Sequence, residues 1–227
     1  VALQKLKVIF CVDRGGLVGE DGATHHGVLD LSFLRTIPGL TVMAPRNEAE
    51  LSAMIHTAVE KCEGPVAIRY PRGAAVGVDM PAEPVSLDIG KSDLLRDGPD
   101  LTLFAIGRMA NVAEEAAEIL AETDGLEARV LDMRFLKPLD EEVILRAVEE
   151  TDHLFSIEEN SVVGGFGAAV NEFLSTLCHS EKSCSMIGLS DGFVPHGKMN
   201  DLFAMTQLTP SGVAGRIRER IRINQSA

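Results

Sequence analysis

A glycine-rich loop at residues 13–27, DRGGLVGEDGATHHG, constrains this chain more than any other feature. Its five glycines permit positive φ angles and let the backbone approach a ligand closely. The loop follows the apolar run Val8–Val12, which predicts a buried strand, and it carries an arginine, three acidic residues and two histidines. Open α/β sheets place their ligand chemistry on the loops that follow their strands. We therefore expect a functional site on this loop.

Strand and helix alternate through the rest of the first third of the chain. A short strand is predicted at Thr41–Ala44, and Asn47 has the side chain of an N-cap for a helix that ends near Gly64. A second strand is predicted at Pro65–Tyr70. This alternation is typical of half of a parallel, doubly wound sheet. The proline-containing residues that follow, from about 74 to 87, predict an interdomain linker.

The remainder of the chain predicts a second α/β unit. Its strands are expected at Leu101–Ile106, Ala128–Met133, Leu154–Glu158 and Ser185–Leu189. Its helices are expected at Asn111–Glu122, Asp140–Glu150, Gly167–Thr176 and Pro210–Ile221, with Asp140 as an N-cap.

Charge and composition exclude several classes of function. The net charge of −13 argues against nucleic acid as a partner, because a polyanion is repelled. Any anionic ligand must therefore be held by local cations. No apolar run approaches the roughly 20 residues that span a bilayer, so we expect a cytoplasmic protein with no membrane partner. The cysteines form no CxxC pair, which predicts reduced and mostly buried thiols at Cys11, Cys62, Cys178 and Cys184.

Motifs spread over nearly the whole chain form a specific combination. In the first third they read Asp13-Arg14-x-Gly, Asp21-Gly-x-Thr-His25-x-Gly, Asp30-Leu-Ser-Phe-Leu-Arg35 and Arg69-Tyr-Pro-Arg72-Gly. Later they read Leu131-Asp-Met-Arg134-Phe-Leu-Lys137-Pro-Leu-Asp140, Glu158-Glu159-Asn160 and Gly164-Gly-Phe-Gly167. Together they resemble the 1-deoxy-D-xylulose-5-phosphate synthases, a group of transketolase-like thiamine diphosphate enzymes. Gly15 stands where that family usually has Ala, and Leu29 stands where Phe is common.

The resemblance implies an α/β fold of two domains. Residues 1–76 correspond to the C-terminal part of a doubly wound, parallel-sheet pyrimidine-binding domain. Residues 77–88 correspond to a linker, and residues 89–227 to a three-layer α/β domain of the transketolase C-terminal type. Thiamine diphosphate and Mg²⁺ are expected to bind mainly to an N-terminal portion upstream of Val1, and no cofactor or metal ligand is predicted within the chain. The chain alone is therefore expected to be an incomplete and inactive piece of an enzyme.

The resemblance also implies a reaction and its partners. The family condenses pyruvate, with loss of CO₂, and glyceraldehyde 3-phosphate to 1-deoxy-D-xylulose 5-phosphate, which feeds isoprenoid, thiamine and pyridoxal biosynthesis. A homodimer and the N-terminal portion of the same enzyme are the expected protein partners. Two alternatives stay open. The chain could belong to another transketolase-like enzyme, such as a 2-oxoacid dehydrogenase β-subunit, or it could be a non-catalytic partner module of a split enzyme.

Four residues are the site candidates that the resemblance marks. Arg14 and Arg72 are expected to bind the substrate phosphate, because guanidinium groups bind phosphate through two parallel hydrogen bonds. His25 is expected to assist catalysis, and Asp21 to orient substrate hydroxyls or a neighbouring arginine. Alternatively, each arginine pairs with a surface carboxylate, His25 only shapes the loop, and Asp21 caps a turn. His26 is assigned to the exterior of the loop.

Other conspicuous residues are predicted to have structural roles. Gly164–Gly167 lacks the full GxGxxG pattern, so close helix packing is favoured over phosphate binding. Glu158 and Glu159 are expected either to be solvated at a strand end or to serve an interface. Arg69 is expected to be structural, and His196 lies on a loop that could reach a domain interface.

Overall fold

The computed structural model describes residues 1–177 and 182–225, with side chains up to residue 222 at the C-terminal end. The strands are β1 (Ile9–Val12), β2 (Thr41–Met43), β3 (Val66–Arg69), β4 (Asp93–Arg96), β5 (Leu101–Ala105), β6 (Ala128–Asp132), β7 (Phe135–Lys137), β8 (His153–Ser161) and β9 (Cys184–Leu189). The α-helices are α1 (Asp30–Leu34), α2 (Glu48–Glu60), α3 (Met109–Asp124), α4 (Glu141–Glu150), α5 (Phe166–Ser175), α6 (Met199–Met205) and α7 (Pro210–Gln225). Single 3₁₀ turns lie at Ala2–Gln4 and Gly19–Asp21.

The strands form two sheets. The first has the order β1-β3-β2-β7, in which β1, β3 and β2 are parallel and β7 is antiparallel to β2. The second has the order β4-β6-β5-β8-β9, in which β4 is antiparallel to β6 and the other pairs are parallel. Parallel pairs joined by crossover helices confirm the predicted α/β class.

Helices cover both faces of the second sheet. Neighbouring residues of β5 point to opposite faces, so Leu103 packs with α3 and α7 while Phe104 packs with α4 and α5. This arrangement gives the three layers that were predicted for the second unit. On the first sheet, α2 packs through Met54 against Ile68 and, from β7, Phe135.

The two units share an apolar core. Leu31 of α1 and Val42 of β2 belong to the same buried cluster as Phe104 and Ile106 from the second sheet. Because fully buried apolar side chains of both units contact one another, the units are joined by packing and not by the linker alone.

Two helix starts follow the expected capping chemistry. The Asn47 side chain accepts a hydrogen bond from Glu50 N at 3.0 Å at the start of α2. The Asp140 side chain accepts one from Val143 N at 3.4 Å at the start of α4. Both caps confirm the predicted helix starts, since a side-chain oxygen there satisfies a backbone N–H that has no partner within the helix.

The prediction that the first strand is buried is wrong. β1 is paired on one side only, with β3, so it forms the edge of its sheet. Phe10 is 41% exposed and Cys11 is exposed. The prediction of mostly buried thiols holds for Cys62 and Cys184 but not for Cys11, and Cys178 lies outside the described residues.

Three short elements were not predicted: β4, β7 and α6. Each spans only three to seven residues, too few to establish a period along the sequence. Residues 74–87 contain neither helix nor strand, in keeping with a linker. Within the described ranges, no helix combines the length and the apolar character needed to cross a membrane.

Candidate active site

Two loops meet at the carboxyl ends of paired strands. Arg14 follows β1 and Arg72 follows β3, and these strands are parallel neighbours, so both arginines lie at the same edge of the sheet. Gly15 N donates to Tyr70 O at 2.9 Å and ties one loop to the other. The loops that carry the two arginines are therefore held side by side.

Asp21 lies between the two guanidinium groups. Its Oδ2 atom is 3.6 Å from Arg14 Nε and 3.3 Å from Arg72 Nη1. Both distances exceed the roughly 2.7–2.9 Å of a strong charge-assisted hydrogen bond. Arg14 also pairs with Asp13 at 2.9 Å, and Arg72 donates to Val18 O at 3.3 Å. Arg14 Nε is buried and has no hydrogen-bond partner among the described residues. The site thus holds two partly exposed cations whose N–H donors are not all engaged in short hydrogen bonds.

The loop holds Arg14 in an uncommon backbone conformation. Its φ of +57° lies in the left-handed region, which costs an L residue about 1–2 kcal/mol. Gly27 N lies 3.1 Å from Arg14 O and 2.8 Å from Gly16 O, and Gly16 N donates to Gly27 O at 2.9 Å. These hydrogen bonds close the base of the loop and keep Arg14 in place.

Two buried side chains support the loop from beneath. Arg69, only 3% exposed, donates through Nη2 to Gly27 O at 3.0 Å and to Glu159 O at 2.8 Å, which agrees with the structural role predicted for it. A Cβ atom on Gly15 would lie 2.6 Å from Arg69 Nε, and one on Gly16 would overlap the Glu159 carboxylate. Close packing therefore requires the glycine at position 16, whereas an alanine at position 15 needs the Arg69 side chain to move.

Glu159 joins the loop to the second sheet. Its carboxylate, 1% exposed, accepts from Leu17 N at 2.6 Å and pairs through both oxygens with Arg108. Arg108 also donates to Leu17 O at 3.2 Å and lies over the ring of Phe203, 4.8 Å from its centroid. Solvation at a strand end is the wrong interpretation of Glu158 and Glu159, since both are buried. The contacts of Glu159 are those of an interface, and the sequence reasoning missed Arg108.

Glu158 caps a helix from inside the protein. Its oxygens accept from Phe166 N at 2.7 Å and from Gly167 N at 2.8 Å at the start of α5. Burial raises the pKa of Glu158 to about 7, although the two N–H donors act to lower it. A Cβ atom on Gly165 would overlap this carboxylate. The segment Gly164–Gly167 therefore packs on a carboxylate, which confirms the prediction of close helix packing.

The two histidines of the loop differ in burial, opposite to expectation. His25 is exposed, with Nδ1 at 2.9 Å from Thr24 Oγ1. His26 is partly buried, accepts from Val18 N through Nδ1 at 3.0 Å, and places Nε2 at 3.2 Å from Pro195 O. Assigning His26 to the loop exterior is therefore wrong. Because Nδ1 accepts from Val18 N, the ring proton is on Nε2, which donates to Pro195 O of the second unit. The catalytic role of His25 stays a prediction.

A segment of the second unit borders the loop. Gly197 N donates to Gly19 O at 3.3 Å, and a Cβ atom on Gly22 would lie 3.0 Å from the Cβ atom of His196. His196 therefore lies at the contact between the units, where the sequence analysis suggested that it could reach. The contacts of Gly197 and Pro195 were missed, because they use backbone atoms and leave no side-chain pattern.

A cleft of about 620 Å³ opens beside Arg72. Residues 70–76 and the start of α2 form one wall, and Arg108, Met199 and Phe203 of the second unit form the other. Within the described ranges, no group of three or more His, Cys, Asp or Glu side chains could hold a metal ion. This part of the chain thus brings together two arginines, Arg14 and Arg72, and the exposed His25 lies on the same loop as Arg14.

Two family profiles match the chain. Residues 1–76 match the profile described as "Transketolase, pyrimidine binding domain", and residues 90–213 match the one described as "Transketolase, C-terminal domain".

The chain is similar to curated proteins that are named 1-deoxy-D-xylulose-5-phosphate synthase. The protein from Chlorobium luteolum is 48% identical over 224 residues, which cover 98% of this chain and 35% of that protein. The protein from Desulforudis audaxviator is 50% identical over 209 residues, which cover 92% of this chain and 33% of that protein. The chain spans about a third of the length of these relatives.

Solved structures share the fold. One described as "Split gene transketolase, inactive beta4 tetramer" superposes with a TM-score of 0.81 at 31% identity, covering 96% of this chain and 68% of that one. A transketolase from Campylobacter jejuni superposes with a TM-score of 0.72 at 24% identity, covering 96% of this chain and 32% of that one.

Proposed function

The chain belongs to the transketolase family, and from this premise we propose that it is the pyrimidine-binding and C-terminal portion of a 1-deoxy-D-xylulose-5-phosphate synthase. The assembled enzyme would condense pyruvate, with loss of CO₂, and glyceraldehyde 3-phosphate to 1-deoxy-D-xylulose 5-phosphate. The proposal includes a cytoplasmic homodimer, with domains at residues 1–76 and 89–227 joined by a linker. Identities near 48% to synthases of this name over nearly all of the chain support it.

One observation carries the proposal: Arg14 and Arg72 converge on a single oxygen of Asp21, and Arg14 Nε has no hydrogen-bond partner among the described residues. A phosphate monoester presents three oxygens to such a pair and accepts two parallel hydrogen bonds from each guanidinium. In a chain with a net charge of −13, this local pair is what an anionic substrate needs. We assign Arg14 and Arg72 to the phosphate of glyceraldehyde 3-phosphate.

Glyceraldehyde 3-phosphate is the substrate that accepts the two-carbon unit, and it is called the acceptor below. In this proposal Asp21 and His25 complete the site that binds it. When the phosphate binds to the two arginines, Asp21 is released from its weak pairing with them. Its carboxylate can then accept a hydrogen bond from a hydroxyl group of the substrate. The Nδ1 atom of His25 is engaged with Thr24, which leaves Nε2 to donate to the carbonyl oxygen of the acceptor. As charge develops on that oxygen, His25 Nε2 stabilises it or passes it a proton.

The described residues do not form a site for the divalent metal ion that holds the diphosphate of thiamine diphosphate. A metal ion beside a diphosphate takes oxygen ligands from carboxylates and carbonyls, and no suitable group of side chains is present in the described ranges. We therefore propose that the diphosphate and the metal ion bind mainly to another portion of the assembled enzyme, where the cofactor supplies the carbanion chemistry. The residues of this chain bind and orient the acceptor.

Titration of the chain with glycerol 3-phosphate tests the phosphate assignment. Replacing Arg72 by Ala should raise the dissociation constant about 10- to 150-fold, the equivalent of 1.5–3 kcal/mol for charged hydrogen bonds. In the assembled enzyme, the same change should weaken use of glyceraldehyde 3-phosphate and leave pyruvate nearly unaffected.

The matched control is Arg146→Ala. Arg146 is exposed and lies on α4, where it pairs with Glu142 at 3.8 Å. If the Arg72 and Arg146 variants bound glycerol 3-phosphate equally well, or if Arg72→Ala weakened both substrates equally, the assignment would be wrong.

A second candidate is the module of a split enzyme. It is favoured by the likeness to the split-gene transketolase chain, whose described state is an inactive tetramer. On this candidate the chain binds acceptor phosphate but needs a separate chain for the cofactor. Calorimetry with thiamine diphosphate and Mg²⁺ should then show no heat with the chain alone, and binding should appear only when the complementary portion is added. Tight cofactor binding by the chain alone would overturn it.

A further inference from the structure

One carboxylate holds the segment that follows Arg72. Glu48 accepts three hydrogen bonds from consecutive backbone groups: Val76 N at 3.1 Å, Gly77 N at 2.6 Å and Val78 N at 2.9 Å. Within the described part of the chain, the backbone of residues 73–80 makes no other hydrogen bond. Three adjacent N–H groups that point at one anion form a nest, a backbone arrangement that binds negative charge.

The position of Glu48 favours its ionised form. Glu48 is the first residue of α2, where the free N–H groups and the helix dipole stabilise negative charge. Hydrogen bonds from its own backbone N–H and from Gly77, Val78 and Val76 lower the pKa of Glu48 below its ordinary value. The contact is therefore made by a full carboxylate with both oxygens in use.

The rest of the linker is attached at the other end of the same helix. Leu87 N donates to Thr57 Oγ1 at 2.7 Å, and Lys61 Nζ donates to Leu87 O at 2.9 Å. The linker therefore runs along α2 and is fixed at both ends of that helix. Between these two attachments the chain is largely exposed.

The segment held by Glu48 is also a wall of the cleft beside Arg72. Arg72, Gly73 and Val76 line that cleft, and Val76 is 63% exposed. Arg72 reaches Asp21 and Val18 O from this segment at 3.3 Å in each case. Three residues separate Arg72 from the first N–H that Glu48 binds, so the carboxylate limits how far the wall can move.

We propose that Glu48 is a positioning residue for the acceptor site: it fixes residues 76–78 so that Arg72 and Val76 face the cleft and the phosphate is bound at one defined depth. This role rests on the proposed function, because it presumes that Arg72 binds the acceptor phosphate. Both carboxylate oxygens of Glu48 are already engaged by backbone N–H groups. Glu48 acts through the backbone of the wall, and it sets how tightly a phosphorylated acceptor is bound.

The variant Glu48→Gln tests the role. An amide keeps the length of the side chain but has one acceptor oxygen, and its NH₂ group meets a backbone N–H that it cannot satisfy. Amide hydrogen exchange at residues 76–78 should become about tenfold faster or more, while exchange in the core of α2 stays the same. The control is Glu83→Gln, which changes an exposed glutamate of the same linker.

Binding of inorganic phosphate gives the second readout. Glu48→Gln should raise the dissociation constant by roughly threefold to tenfold, less than Arg72→Ala, because the guanidinium remains but is less well placed. In the assembled enzyme, KM for the phosphorylated acceptor should rise while kcat stays within about twofold. A loss in kcat alone would overturn the positioning role.

The failures of the two proposals are distinguishable. If Arg72→Ala weakens phosphate binding and Glu48→Gln speeds exchange without changing phosphate affinity, the positioning role is wrong and the proposed function stands. If Arg72→Ala also leaves phosphate affinity unchanged, the proposed function fails and the role of Glu48 fails with it. Unchanged exchange at residues 76–78 in Glu48→Gln would show that the carboxylate does not hold the wall.

Discussion

Replacing Arg108 by Met should lower the free energy of unfolding by about 3–5 kcal/mol, the cost of leaving a buried charge without its partner. Glu159 is 1% exposed, and two of its hydrogen bonds come from Arg108. The variant would leave the carboxylate with Leu17 N as its donor. Methionine retains apolar packing against Phe203, so the loss reports mainly on charge, with about 0.5–1 kcal/mol from the cation–π contact.

The assay is urea unfolding followed by far-ultraviolet circular dichroism. The sequence has no tryptophan and one tyrosine, so intrinsic fluorescence reports poorly on this protein. For a chain of this size, 3–5 kcal/mol corresponds to a Tm lower by about 6–20 °C. The matched control is Arg146→Met, which removes an exposed arginine paired with Glu142 at 3.8 Å and should cost less than about 0.5 kcal/mol.

A double-mutant cycle isolates the pair. Combining Arg108→Met with Glu159→Gln removes both charges, so the double variant should be less destabilised than the sum of the single changes by about 1.5 kcal/mol or more. If Arg108→Met costs no more than Arg146→Met, Glu159 is not held by Arg108 in solution. The docking of the glycine-rich loop on this pair would then be refuted.

Three further expectations concern other parts of the site. Burial holds the pKa of Glu158 near 7 against an ordinary 4.5, so the folded state binds the extra proton and stability should fall as pH rises between these values. Relative to Glu158→Gln, the loss should be on the order of 3 kcal/mol, measured as unfolding free energy at a series of pH values, and a flat difference would contradict it. His26→Ala should cost about 1–2 kcal/mol in urea unfolding because Val18 N loses its acceptor, whereas His25→Ala should leave stability unchanged and lower turnover of the assembled enzyme about 100-fold. Equal effects of the two histidine variants on stability would contradict the assigned contacts. Asn47→Ala should cost about 1 kcal/mol by removing the cap of α2, as thermal unfolding would show, and no loss would mean that another group satisfies Glu50 N.

Local chemistry made part of the structure predictable. The caps at Asn47 and Asp140 are predictable because each side chain lies close in sequence to the backbone N–H group that it satisfies. The glycines before α5 are predictable because they lie at the start of a helix, close to a carboxylate of β8. Strands such as β5 have apolar residues on both faces, so they read as continuous apolar runs. The meeting of Arg14 and Arg72 was also predictable, because parallel neighbours bring the loops after them to one edge.

The rest depends on contacts that the sequence does not encode locally. Burial of β1 was overestimated because an apolar run does not reveal whether a strand has neighbours on both sides. The positions of His25 and His26 could not be ranked, since the acceptor role of His26 depends on Val18 N and Pro195 O, 8 and 169 residues away. The pairing of Arg108 with Glu159 is likewise made across 51 residues.

The antiparallel strand β7 has a consequence for how this protein can be divided. β7 comes from residues 135–137 but extends the first sheet beside β2, so Val42 faces Lys137 across the boundary of the two units. Residues 1–76 produced without the second unit would therefore leave β2 with an open edge, the kind of surface that pairs with strands of other chains. The first sheet is therefore not made by one continuous segment of the sequence, because it includes residues 135–137. A chimera that takes residues 1–76 from a relative must also take residues 135–137 from it. Otherwise β2 and β7 come from different proteins, and their side chains do not match where they pair.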